Sequence, residues 1–276
     1  SNDPGACGAT VTYTAPVGAD NCPGSTTALI SGLGSGSLFP IGVTVETYEV
    51  TDASGNTDTC SFTVTVVDSE APVIVCPADV VVGNDLNQCG AVVTFTAPVV
   101  TDNCPGAIVT QIAGFPSGST YPVGVTINQF VASDSAGNSD TCSFTVTVTD
   151  NEAPSITGCP ADITINNDAG ICGALVSWTI PQATDNCGID TLIVSHTSGA
   201  IFPVGVTTVS YIAIDTAGNS DTCSFTITIL DNEAPTIVCP ADIVSCDEVV
   251  FYTPPVGTDN CSGGLTTNQI AGLGSG

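Results

Sequence analysis

The stretch AGNSDTCSFTVTVTDNEAP (136–154) decides how this chain is read. Its centre, Ser143–Val148, alternates apolar and polar residues and is rich in β-branched side chains, the pattern of a half-buried strand. It opens on a Gly-Asn turn and closes on an acidic, Pro-terminated link. The same stretch returns as SGNTDTCSFTVTVVDSEAP (54–72) and AGNSDTCSFTITILDNEAP (217–235). Pro72 and Pro154 are 82 residues apart, and Pro154 and Pro235 are 81 apart. A period of this size kept in register means an array of small domains, each in contact with its neighbours in sequence.

Alignment of the repeats sets the expected boundaries. SNDPGACG (1–8) matches NNDAGICG (166–173), and GLGSG (272–276) matches GLGSG (32–36). Four units follow: 1–70, lacking its first strand, then 71–152 and 153–233, and 234–276, a first half only. The end fragments overlap rather than complement each other, because residues 246–276 and 7–36 carry the same part of the repeat. That favours a window on a longer array over a clean strand exchange. Further alternating runs at Ala91–Ala97 and Ile127–Ala132 are separated by Gly, Pro, Asn and Asp clusters, and no stretch has helical periodicity. The fold class expected is all-β, with tandem immunoglobulin-like antiparallel β-sandwich domains arranged end to end.

Composition narrows the function. The 276 residues contain no Lys and no Arg, where an average chain would carry roughly thirty. Asp and Glu number 27, giving a net charge of −27. No carboxylate can find a Lys or Arg partner, so neutralisation must come from outside ions. Nucleic acid is excluded as a partner, since nothing can meet a phosphate, and an anionic membrane surface is disfavoured. No apolar run is long enough to insert in a membrane. Hydrophobic residues at 42 % against 10 % charged argue for a packed core rather than disorder. Enzyme signals are missing: the single His196 has no counterpart in the other units, and no Gly-rich phosphate loop opens a helix. Trp178 sits at the position of Tyr13, Phe95 and Tyr252, which reads as a core aromatic rather than a ligand platform. Asn260-Cys-Ser is a formal glycosylation sequon containing a Cys expected to be bridged.

The pattern CPAD, xVxFxxP, TDNC, FPVGVT (202–207), DTAGNSDTCSF (215–225) and EAPTIVCP (233–240) resembles the hyalin repeat (HYR) family over essentially the whole chain. It looks most like the tandem HYR arrays of large bacterial surface proteins. The resemblance implies an immunoglobulin-like sandwich, an extracellular location, adhesion, and no enzyme activity.

Fourteen Cys with no CxxC pair point to disulfides in a secreted or cell-surface setting. A complete unit has four Cys, which allow three connectivities. In a sandwich of this kind the first strand runs roughly parallel to the last, which puts Cys76 near Cys142 and Cys159 near Cys223. The family pattern, in which the CP and CxF cysteines go together, agrees. That leaves Cys89–Cys104, Cys172–Cys187, Cys7–Cys22 and Cys246–Cys261, with a bend in the chain needed between partners. Cys60 and Cys239 are then unpaired.

Carboxylates gather in three places per unit. The links carry Asp68 and Glu70, Asp150 and Glu152, and Asp231 and Glu233. The TDNC loops carry Asp102 and Asn103, and Asp185 and Asn186. The DxxGNxD hairpins carry Asp134, Asn138 and Asp140, and Asp215, Asn219 and Asp221. Strand direction brings link, loop and hairpin to one junction, an oxygen-only ligand set suited to Ca²⁺ and analogous to the calcium-bound junctions of cadherins. The same residues are also ordinary turn formers.

The function expected is a structural and adhesive stalk. Its partners would be neighbouring repeats and surface or glycan ligands. A self-assembling extracellular filament, with copies of the chain as partners, is the first alternative, and a carbohydrate-binding module the second.

Overall fold

The computed structural model describes residues 1–246, 249–261, 263 and 265–272; residues 273–276, the rest of the second GLGSG, lie outside these. Every regular element among the described residues is a β-strand, and no helix is long and apolar enough to cross a membrane. The chain divides into two compact units, residues 1–85 with 89–149, and residues 86–88 with 150–276.

In the first unit, the second repeat is the fuller sandwich. Its main sheet has the order Ile108–Ala113, Gly124–Ser133, Ser139–Thr149, Val80–Gly83. The first three strands are antiparallel, and Val80–Gly83 adds in parallel, with Val80 opposite Val146 and Val82 opposite Val148. The facing layer consists of two short ladders, Gly90–Val93 with Ser119–Pro122 and Val73–Val75 with Val99–Thr101. Alternation delivers Phe130, Ala132, Phe144, Val146 and Val148 from the long hairpin to the core, where Ile74, Ala91, Val93 and Tyr121 meet them. Phe144 lies edge-on to Phe95 at 4.9 Å and stacks with Phe130. Burying an aromatic or branched aliphatic side chain of this kind contributes about 1.5–3 kcal/mol.

The first repeat has a three-stranded main sheet, Thr26–Ser31, Gly42–Thr51 and Thr57–Val66, faced by Gly8–Val11 with Ser37–Pro40. Its buried cluster is smaller: Ala9, Phe39 and Val66, with Tyr13 and Val64 packed against it. Glu46, on the inward face of the central strand, is fully buried.

In the second unit, residues 155–230 repeat the full topology. Ile163–Asn166, Ser220–Leu230, Gly205–Asp215 and Ile189–Val194 form the main sheet. Gly173–Val176 with Ala200–Pro203 and Ser155–Thr157 with Gln182–Thr184 face it. Trp178 packs against the core and donates from Nε1 to the Tyr211 hydroxyl at 2.7 Å, so it is a core aromatic. His196 is exposed, beside Ser195 and Phe202. Beyond residue 230, the regular structure among described residues is the short ladder Thr236–Ile237 with Gly257–Thr258.

The disulfides require a correction. Cys76 is bonded to Cys142 and Cys159 to Cys223, each joining the first strand of a repeat to its last. The second cysteine pair does not close within a repeat. Cys7 is bonded to Cys104, 97 residues away in the next repeat, and Cys172 to Cys261, 89 residues away. The expected pairs Cys7–Cys22, Cys89–Cys104, Cys172–Cys187 and Cys246–Cys261 are therefore not formed. Cys22 and Cys246 are free and exposed, as are Cys60 and Cys239, while Cys89 and Cys187 are disulfide-bonded. The reason is directional. Cys7 lies in the turn ahead of Gly8–Val11, and the strand that follows carries the chain away from it. Cys22, on the far side of that strand, cannot return without a reversal, whereas the TDNC loop of the next repeat arrives at the same turn, with a Cα separation of 4.9 Å.

Candidate metal centre at the repeat junctions

Two junctions gather carboxylates from three separate segments. In the first unit these are Asp68 from the link, Asp102 from the TDNC loop, and Asp134 from the hairpin. Each offers an oxygen within 4.8 Å of the others'. Asp150, Asp185 and Asp215 make the same group in the second unit. Asp68, Asp150 and Asp215 are buried.

The local structure explains how each arrives. In the hairpin, Asp134 Oδ1 accepts from the backbone N–H of Asn138 at 2.8 Å, and Oδ2 from the Asn138 side-chain amide at 2.8 Å. Asp215 and Asn219 repeat this, both at 2.8 Å. An Asx turn of this kind fixes the loop without help from neighbours. The Asn amide also reaches across to the link carbonyl, Asn138 to Asp68 at 3.3 Å and Asn219 to Asp150 at 3.1 Å. Burial opposes the charge on Asp134 and Asp215, but the hydrogen bonds from Asn138 and Asn219 outweigh it. Both carboxyls are held below their ordinary range and stay ionised.

The TDNC loop supplies the least satisfied oxygens. Both carboxylate oxygens of Asp102 are buried without a hydrogen-bond partner, as is Asn103 Oδ1. In the second unit the same holds for Asp150 Oδ2 and Asp185 Oδ1. Asp185 Oδ2 is occupied by the N–H groups of Cys187 and Gly188, at 2.7 and 3.0 Å. A buried unpaired carboxylate oxygen is costly, and here three acidic groups come together in a chain with no Lys or Arg. The donor set is all oxygen, and the unpartnered atoms Asp102 Oδ1 and Oδ2, Asp150 Oδ2 and Asp185 Oδ1 belong to groups whose carboxylates lie within 4.8 Å of one another. Such a set fits a hard divalent cation, and its size and charge suit Ca²⁺ better than a thiolate- or imidazole-preferring metal.

Other residues expected at this centre are engaged elsewhere. Glu70, Glu152 and Glu233 hold the turn of the preceding repeat, accepting from the N–H of Gly5, Asn87 and Gly170 at 2.8–2.9 Å. These three residues share a left-handed backbone, φ of 71°, 57° and 73°, and Asn87 is the one non-glycine residue with positive φ among those described. Asp140 and Asp221 instead fasten the first strand, accepting from Ile74 and Ile156 N–H at 3.2 and 3.0 Å. Asn103 and Asn186 donate from their side-chain amide nitrogens to the Ala6 and Gln88 carbonyls, at 3.2 and 3.0 Å, which ties the loop to the preceding turn and leaves Asn103 Oδ1 open. Asp231 lies near Asp259 and Cys261, but the Cys261 sulfur is bonded to Cys172, so this group offers two carboxylates.

Sequence reasoning missed Glu46. Its carboxylate accepts from the Tyr13 hydroxyl at 2.7 Å and from the N–H groups of Leu33 and Gly34 at 2.7 and 2.8 Å. Burial opposes its charge, yet these donors hold its carboxyl below the usual range. Gly32, at φ 110°, is required beside it, since a Cβ there would lie 2.3 Å from Oε1. The signal was present as a lone Glu at an inward position of an alternating strand.

Hyalin of Strongylocentrotus purpuratus is 34 % identical over 265 residues, covering 90 % of this chain and 22 % of that protein. Hyalin of Lytechinus variegatus is 36 % identical over 270 residues, covering 92 % and 50 %. A Rattus norvegicus protein with sushi, von Willebrand factor type A, EGF and pentraxin domains is 36 % identical over 166 residues, covering 59 % and 4 %. The chain thus spans half or less of the length of these relatives. They are animal proteins and give no support to the bacterial setting expected from sequence. Among solved structures, mouse cadherin-23 EC22-24 aligns with a TM-score of 0.34 at 15 % identity, over 80 % of this chain and 92 % of that one. The protocadherin γB4 extracellular domain aligns with a TM-score of 0.32 at 16 % identity, over 79 % and 46 %. The HYR domain model matches residues 2–66, 67–148 and 149–229 in succession, and the chain belongs to the HYR domain family.

Proposed function

We propose that this chain is a structural, adhesive segment of an extracellular multi-repeat protein, built of repeats 1–70, 71–152, 153–233 and 234–276, and that Ca²⁺ bound at the repeat junctions holds successive repeats together. The observation that carries the reading is the convergence of link, loop and hairpin carboxylates, with buried unpartnered oxygens on Asp102, Asp150 and Asp185. Disulfide bonding favours an oxidising, extracellular setting. The hyalin relatives support an extracellular repeat protein by family.

The cation would neutralise what the chain itself cannot. Asp68, Asp102 and Asp134 would hold it in the first unit and Asp150, Asp185 and Asp215 in the second, with Asn103 Oδ1 and water completing the 6–8 oxygens Ca²⁺ takes. Each residue comes from a different segment, so binding joins link, loop and hairpin. Titration calorimetry of the intact chain tests this. Two Ca²⁺ sites, each lost with Asp102→Asn or Asp185→Asn and not filled by equimolar Mg²⁺, support it. Heats indistinguishable from screening by monovalent salt refute it.

Lateral assembly is a second reading, favoured by exposed aliphatic side chains at recurring positions on the short ladders: Leu38, Val92, Leu175 and Ile201. Sedimentation over a hundredfold dilution tests it: a mass that does not fall on dilution supports assembly, and a monomer throughout opposes it.

A further inference from the structure

We propose that the cation site of the first unit fills before that of the second, and that Pro105 sets this order by leaving both carboxylate oxygens of Asp102 free to chelate. The inference rests on the cation-binding reading of the junctions, and adds a ranking of the two sites and the residue responsible for it.

The two loops begin alike and then diverge. TDNCPGAI (101–108) and TDNCGI (184–189) share Thr-Asp-Asn-Cys, after which the first has Pro-Gly-Ala where the second has Gly alone. The turn glycine, at φ 112° for Gly106 and 106° for Gly188, thus comes one residue later in the first loop. In the second unit the loop curls back on its own aspartate. Cys187 and Gly188 both donate backbone N–H to Asp185 Oδ2, at 2.7 and 3.0 Å, and Oδ1 is the oxygen left without a partner. In the first unit the residue after the cysteine is Pro105, which has no N–H to give and biases Cys104 toward an extended backbone. Neither oxygen of Asp102 has a partner, and both are buried. The loop of the first repeat follows the same rule. Asp20 Oδ2, ahead of Cys22 and Pro23, accepts from Cys22 N–H at 3.2 Å, and Pro23 again has no second donor to offer.

Affinity is the difference between the empty and the loaded site. An oxygen already accepting two N–H bonds must share its charge between them and an ion. Asp185 therefore offers one open oxygen and Asp102 two, and a bidentate carboxylate suits the large, adaptable coordination shell of Ca²⁺. The empty first site also bears the greater desolvation cost. Its buried oxygens without partners are Asp102 Oδ1, Asp102 Oδ2 and Asn103 Oδ1, against Asp150 Oδ2 and Asp185 Oδ1 in the second. An ion relieves that cost on binding, so the first site gains more from it. The remaining carboxylates share their main partners. Asp134 and Asp215 are each held by their Asn amide at 2.8 Å, and Asp68 and Asp150 each accept from the N–H of the Glu two residues on at 3.2 Å.

Titration calorimetry of the intact chain with Ca²⁺, at about 0.15 M monovalent salt, tests this. Asp185→Asn isolates the first site and Asp102→Asn the second. The first should bind Ca²⁺ roughly tenfold more tightly or better. Deleting Pro105 and Ala107 from the Asp185→Asn protein makes its loop identical to residues 184–189, and should bring the first site down to the affinity of the second. The reciprocal graft inserts Pro before Gly188 and Ala after it in the Asp102→Asn protein. It should tighten the second site, a gain that no loosening of the fold produces. Pro105→Ala restores the N–H at unchanged loop length and should weaken the first site severalfold. Thermal midpoints without divalent cations report that each variant is folded. Equal affinities in the two single-site proteins, a tighter second site, affinities that ignore both grafts, or an unchanged first site in Pro105→Ala would each overturn the inference while the cation reading stands. No Ca²⁺ binding by the parent chain would overturn both.

Discussion

At the scale of single residues, carboxylates do two kinds of work here, and their neighbours distinguish them. Asp134 and Asp215 are satisfied by Asn138 and Asn219, so they shape a loop whether or not a cation binds. Asp102 has no partner for either oxygen. Asp102→Asn is therefore expected to stabilise the cation-free protein slightly or leave it unchanged, while weakening Ca²⁺ binding at least tenfold; chemical denaturation and titration together read both effects. Glu46 behaves differently. Glu46→Ala leaves the N–H groups of Leu33 and Gly34 unpaired beside a void, and should cost about 2–4 kcal/mol in a urea melt. Because its carboxyl is depressed in the folded state, its contribution is complete above the ordinary Glu range near 4.3 and is lost as pH falls through the lower folded value. The urea midpoint should thus drop below about pH 4, and Glu46→Gln should flatten that drop. The sequence marked the acidic loops but not their division of labour. Asp, Asn and Gly in a hairpin serve turn and ligand alike, and only the direction of each oxygen separates the uses.

At the scale of elements, strands were legible because alternation and β-branching write them directly: Ser143–Val148 lies within the strand Ser139–Thr149. The pairing of Cys76 with Cys142 followed from strand direction in the same way. The other bridges were not legible, because the expectation assumed that each repeat closes on itself. A Cys in the turn before Gly8–Val11 has no local partner, and its bond reaches into the next repeat. This bridge fastens the turn at Asn2–Ala6 to the loop that carries Asp102 and Asn103. Cys7→Ser with Cys104→Ser should lower stability by about 2–4 kcal/mol. It should also weaken Ca²⁺ binding in the first unit while sparing Asp150, Asp185 and Asp215. Calorimetry of the double variant, compared with the parent, reads this: loss of affinity at both sites alike would show that the bridge acts on the whole fold and not on its own junction.

For the whole molecule, the decisive property is the absence of any Lys or Arg alongside 27 Asp and Glu residues. Repulsion within the folded chain can be relieved only by ions, diffusely by salt or locally by bound cations. Diffuse screening acts on all acidic groups and does not distinguish Ca²⁺ from Mg²⁺ of equal charge. Bound cations act through named oxygens. A cation at one hundred times its dissociation constant stabilises the folded state by about 2.7 kcal/mol per site, large on the scale of a small domain's stability. The most direct measurement is thermal unfolding of the intact chain at fixed ionic strength, with millimolar Ca²⁺, with equal Mg²⁺ and with neither. Ca²⁺ should raise the midpoint well beyond Mg²⁺, with the excess lost when Asp102 and Asp185 are both changed to Asn. Equal midpoints in the two cations, or an excess that survives those substitutions, would contradict it.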